Sequence, residues 1–140
     1  SFKAYNNASF SFSGSTTTKM RFNADAWDTA SAFDTTNYNF TVPAGQGGKY
    51  FFNASLRLNA GTDCQGVGYF YVNNAEYIFS EIVARDDFSA GIFVNITSLM
   101  DLSAGDYVDV RCYATMASPA LSGTGSSQGK YSFFEGFKLI

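Results

Sequence analysis

Thr36-Asn37-Tyr38-Asn39-Phe40-Thr41-Val42-Pro43-Ala44-Gly45-Gln46-Gly47-Gly48-Lys49-Tyr50-Phe51-Phe52-Asn53-Ala54-Ser55-Leu56-Arg57-Leu58-Asn59 places two aromatic and β-branched runs on either side of one proline and three glycines. Those breakers mark a turn, so the segment reads as strand, turn, strand. Successive side chains of a strand point to opposite faces. Tyr50, Phe52, Ala54, Leu56 and Leu58 therefore share one face, and Phe51, Asn53, Ser55, Arg57 and Asn59 share the other. The first face suits a core. The second begins with Phe51, a large aromatic that an isolated sandwich would leave in water.

The same period of two runs outward in both directions. Phe2, Ala4, Ala8, Phe10 and Phe12 occupy even positions, with an interruption at Asn6-Asn7. Val67, Tyr69 and Tyr71 alternate with Gly66, Gly68, Phe70 and Val72, and Asn73-Asn74 then supplies a hairpin turn. Ile92, Val94 and Ile96 oppose Phe93, Asn95, Thr97 and Leu99, while Val108, Val110 and Cys112 oppose Tyr107, Asp109, Arg111 and Tyr113. Tyr131 to Ile140 reads as a closing strand. Ala60 to Asp63 reads as a turn, and Ala84–Gly91 and the Ser- and Gly-rich stretch 119–129 as loops. Ala24 to Thr36 is a polar connection around the single tryptophan, Trp27, expected to lie over one end of the core, with an exposed stacking role as the other reading. No helical stripe appears.

Composition narrows the function. A chain of 140 residues suits one domain with one core, and 15 Phe and 9 Tyr bias it toward sheet. A net charge of −3, with nine basic residues scattered singly, offers no cationic stripe for phosphates, so nucleic acid is not an expected partner. No apolar run reaches the ~20 residues of a membrane span, so membrane insertion is not expected either. Histidine is absent, which removes the usual general base and every Ser-His or Cys-His pair. The acidic residues mostly stand singly beside turn formers, and a non-enzyme is expected.

Phe33 to Pro43, Gly48 to Phe52, Leu102-Ser103-Ala104-Gly105-Asp106-Tyr107-Val108 and Phe134-Glu135-Gly136-Phe137-Lys138-Leu139 resemble, in order, the signature blocks of the globular head of complement component 1q and its tumour-necrosis-factor-like relatives. The resemblance covers nearly the whole chain. It implies an all-β fold: a two-sheet jelly-roll sandwich of about ten antiparallel strands, assembled as a compact homotrimer. Residues 1–140 would form one head domain, the C-terminal part of a longer chain. Carried over by position, the three-fold axis would be lined by Phe51, Asn53, Phe93, Asn95, Thr97, Leu99, Phe134, Gly136 and Ile140. The collagen-like stalk repeat is absent from this chain, and the link from Pro43 to Tyr50 is long for the family.

The resemblance also bears on ions and thiols. Related heads bind calcium near the loop matching Glu81 to Gly91. Asp87 takes the acidic position, with Glu81, Asp86 and Asp63 nearby, although no full ligand spacing is present; calcium is the one cofactor left open. By the family's strand order Cys64 and Cys112 would lie on neighbouring strands, so a single disulfide and two free buried thiols both remain open.

Four Asn-X-Ser/Thr sequons, at Asn7, Asn39, Asn53 and Asn95, include two on the expected trimer lining, where a glycan would block assembly. That points to a source without N-glycosylation. The expected role is a trimeric recognition head, the receptor-binding tip of a virion fibre or tail protein on the virion surface, contacting a host-surface glycan or protein. The alternatives are a secreted, extracellular complement-like pattern-recognition module and a structural trimerisation or capsid-decorating unit.

Overall fold

The computed structural model describes residues 1–59, 61–88, 90–123 and 129–140, the side chains of Asp87 and Phe88 excepted. Thirteen strands are present among them: β1 (Phe2–Tyr5), β2 (Phe10–Ser11), β3 (Thr18–Lys19), β4 (Ala24–Asp28), β5 (Phe33–Asp34), β6 (Asn39–Thr41), β7 (Gly48–Leu58), β8 (Gly61–Val72), β9 (Ala75–Phe88), β10 (Ile92–Leu102), β11 (Tyr107–Ala114), β12 (Ala120–Leu121) and β13 (Phe133–Lys138). No helix of the described residues is long and apolar enough to cross a membrane.

The strands form two antiparallel sheets, the two-sheet jelly-roll sandwich expected from the sequence. The larger runs β2-β12-β7-β13-β1-β4, with β10 on the free edge of β7; the smaller runs β5-β6-β11-β8-β9, with β3 also on β11. The count exceeds ten because several strands are only two residues long. β7 is the hub. It pairs with β10 over its whole length, from Ile92↔Leu58 to Leu102↔Gly48, and on its other edge with β13 and then β12.

The inner faces meet in an aromatic core. Phe2, Phe52 and Phe134 from the larger sheet pack on Phe33, Phe40 and Phe70 from the smaller, with Phe2 stacked 4.9 Å from Phe40 and Phe134 at 5.7 Å from Phe70. All six rings are buried. Offset and edge-on rings fill such a space with favourable quadrupole contacts as well as area.

Several expectations change. The first strand ends at Tyr5 and resumes only at Phe10. The supposed loop 84–91 is mostly strand. Gly61 and Thr62 pair with Phe88 and Asp87, and the register shifts between Thr62 and Cys64. Asp63 and Asp86 take φ of 41° and 62° at this bulge, and the Asp86 N–H donates to Asp63 Oδ1 at 2.9 Å. The turn-forming aspartates thus mark an irregularity inside a hairpin rather than its end. In the stretch read as a loop over 119–129, Leu121 is fully buried in β12; residues 124–128 lie outside the description. Trp27 is no cover for the core. It stands on β4 opposite Lys3, on the outward side of the sheet, and is 47% exposed. The Asn73-Asn74 hairpin is as expected, with φ of 51° and 67°, the doubly left-handed turn that suits strand twist.

Candidate recognition and assembly surface

The outward face of the larger sheet is built in cross-strand rows. Register fixes the first as Leu99–Phe51–Phe137 and the second as Thr97–Asn53–Glu135–Lys3–Trp27. The third is Asn95–Ser55–Phe133–Tyr5, and Phe93 opposes Arg57 at the far end. The first row is wholly apolar. Phe51 and Phe137 lie 5.4 Å apart, yet Leu99 is 63% and Phe137 46% exposed.

The second row is a polar ladder. Asn53 Nδ2 donates to Glu135 Oε1 at 2.9 Å, and Lys3 Nζ is 3.3 Å from Glu135 Oε2. The same ammonium sits 4.4 Å from the Phe133 ring and 5.9 Å from Trp27, so one lysine neutralises a carboxylate and rests on two aromatic faces. Arg57 is held comparably, stacked on Tyr131 at 4.6 Å and donating to Ser122 Oγ and the Ala90 carbonyl. These contacts fix side chains on an open surface.

Of the residues expected on the trimer lining, Phe51, Asn53, Phe93, Asn95, Thr97 and Leu99 share this face. Phe134 and Gly136 do not. Phe134 pairs with Ala54 and Gly136 with Phe52, both core positions, and Phe134 is fully buried. A Cβ at residue 136 would lie 2.5 Å from Phe52 Cδ1, so the inner side there admits only glycine. Phe133, Glu135 and Phe137 take the outward places. Because β13 carries phenylalanine on both faces, alternation alone does not say which set is inside. Ile140 lies past the end of β13 and is 76% exposed, its carbonyl accepting from the Lys49 N–H at 3.0 Å.

Of the calcium candidates, Glu81 and Asp86 do not converge. Glu81 and Asp86 lie five residues apart along β9, about 16 Å at strand rise, and Glu81 is engaged by Gln65 Nε2 at 2.9 Å. The Asp87 side chain lies outside the described residues. Among those described, no three acidic, cysteine or histidine side chains gather as a metal site.

Of the two readings open for the thiols, the structure has the second. Both cysteines are free and buried. Cys112 pairs with Gly68, leaving Cys64 four residues further along β8, about 13 Å away at strand rise, beyond the reach of an S–S bond. Burial, with Cys64 a lesser contributor, pushes the Cys112 thiol up to about 12.

The outward face of the smaller sheet holds the only buried carboxylate of the described residues, a feature alternation does not foretell. Asp109 is fully buried on β11 and accepts from Arg111 Nε at 2.8 Å and Nη2 at 3.2 Å, with Lys19 Nζ at 3.3 Å. Arg111 in turn lies 3.9 Å over the Tyr71 ring and donates to Asn74. The hydrogen bond to Asp109 raises the guanidinium pKa. Arg111 is therefore a fixed cation.

No family model and no curated protein sequence matches the chain. Solved structures do. The tumour necrosis factor Eiger from S. frugiperda superposes with a TM-score of 0.74 at 16% identity, covering 99% of this chain and 91% of that one. The globular domain of zebrafish complement 1qA gives 0.68 at 16% identity, covering 99% and 96%. The chain has the jelly-roll fold of these complement and tumour-necrosis-factor heads.

Proposed function

We propose that the domain is a non-enzymatic recognition head working as a homotrimer, the tip of a virion fibre or tail protein that contacts a host-surface glycan or protein. The observation that carries this reading is the apolar row Leu99–Phe51–Phe137 on an outward sheet face, a patch of the kind that marks an interaction surface. A three-fold ring needs two unlike, complementary patches on each protomer. The second is the β9 edge, where Tyr77 is 51% and Ile78 38% exposed; Tyr77 shares a shallow depression with Leu99 and Leu139.

Asn53 and Asn95 both belong to sequons and stand on the same face. A glycan on either would cover the rows, which favours a virion source over a glycosylated serum protein. Sedimentation equilibrium should give three times 15.2 kDa, and the labelled trimer should bind host cells. A monomer refutes the assembly. A trimer that binds no cell, with particle assembly failing when the domain is deleted, makes it a structural unit instead.

A further inference from the structure

We propose that the outward face of the smaller sheet holds a site for a neutral, polyhydroxylated ligand, the sugar units of a glycan, in the groove between Tyr69, Phe79 and Tyr113. This rests on the recognition reading and supplies its ligand class. The groove, about 470 Å³, follows from register. One row runs Phe79–Tyr69–Arg111 and the next Glu81–Val67–Tyr113. Val67 is short and buried, so it forms a floor between taller aromatic walls; Phe79 is 55% exposed, its ring 6.1 Å from Tyr69. Desolvation raises the Tyr69 pKa, and that phenol remains a neutral donor at physiological pH.

Charge selects the ligand. Glu76 and Glu81 line the groove, so a phosphate, sialate or nucleic acid is repelled. Arg111 lies opposite Tyr69 but outside the groove's lining, its charge paired with the buried Asp109. The aromatic walls favour a ligand without charge, with C–H faces to lie on the rings and hydroxyls for Glu81, Gln65 and the Tyr113 phenol. Gln65 Nε2 binds Glu81 Oε2 at 2.9 Å and orients its other oxygen. Convergent polar groups on an aromatic floor and walls are the ordinary make-up of such pockets. The groove opens on the opposite side of the sandwich from Leu99–Phe51–Phe137, its Phe79 and Glu81 wall adjoining the β9 edge of Tyr77 and Ile78, and three copies add avidity.

Saturation-transfer NMR on the intact protein tests this with maltohexaose, cellohexaose, chitohexaose and mannohexaose as probes, and sialyllactose and a polylysine peptide as charged comparisons. At least one neutral oligosaccharide should bind, and Phe79→Ala and Glu81→Gln should each weaken it at least tenfold at unchanged melting temperature. The proposal is overturned if no neutral oligosaccharide binds, if binding survives both variants, or if only a charged probe binds. Host-cell binding that survives both variants removes this groove but leaves the recognition reading. A monomeric protein that binds a neutral oligosaccharide through Phe79 and Glu81 leaves the groove and removes the trimer.

Discussion

Leu99→Asp is the sharpest perturbation of the proposed assembly. A leucine side chain fully withdrawn from water contributes about 1.5–3 kcal/mol. Within one protomer Leu99 keeps 63% of its surface in solvent, so the unrealised part is about 1–2 kcal/mol per copy and about 3–6 kcal/mol over three. Losing it lowers the trimerisation constant by roughly two to four orders of magnitude, before counting the desolvation of three introduced carboxylates. The protomer should suffer little, because Leu99 points away from the core and an exposed strand substitution costs up to about 1 kcal/mol. Phe51→Asp should also dissociate the trimer, but with added protomer destabilisation, since Phe51 is half-buried against Phe137. Sedimentation velocity at micromolar protein, beside a thermal melt of each variant, reads both effects. A Leu99→Asp protein that still sediments as a trimer, or a monomeric wild type, would refute the reasoning.

Phe134→Ala should cost about 3–5 kcal/mol, because the ring is fully buried among five other phenylalanines, whereas Phe133→Ala on the outward side should cost less than half as much in a denaturant titration. Equal losses would put the β13 face assignment in error. Iodoacetamide at pH 8 should leave Cys112 unlabelled in the folded protein and label it in urea, since burial closes off the thiol and pushes it up to about 12; rapid native labelling detected by peptide mass would contradict its burial. Asp34 is held below the usual carboxylate range by the Asn37 N–H, the Asn37 amide and the Thr36 N–H, and Asp106 by the Asn73 amide and the Ser103 N–H. A depressed folded pKa means stability fully present above the unfolded value near 3.9 and lost as pH falls through the folded ones, so melting temperature should drop below about pH 4. Asp34→Asn and Asp106→Asn should each flatten that acid limb, and a limb unchanged in both would count against these hydrogen bonds.

Alternation made most of the fold legible. In β7, β10 and β11 one face is nearly pure core, so period two sorts the side chains without ambiguity; Phe52 against Phe51 and Ile96 against Thr97 come out as the sequence suggests. It misleads where both faces are aromatic: Ser132-Phe133-Phe134-Glu135-Gly136-Phe137 has no polar side, and only pairing with Ala54 and Phe52 decides it. It is silent where partners are distant. Alternation puts Asp109 and Arg111 on one face, yet only the pairing of β3 with β11 brings Lys19 to that carboxylate. The polar ladder of Asn53, Glu135 and Lys3 unites three segments no local window connects. Trp27 differs from expectation for a related reason, since β4 is a strand paired only along the edge that β1 offers it.

The place of β13 has a consequence in time. Its six residues bridge β7 to β1, so the middle of the larger sheet is closed across sequence separations of about eighty residues on one side and more than a hundred on the other. Contacts that distant form slowly and late. During synthesis the first strand must therefore wait, with Phe2 short of its β13 neighbours, until β13 has left the ribosome. Folding of this domain waits on β13, and a chain cut after Tyr131 should stay unfolded in a refolding assay.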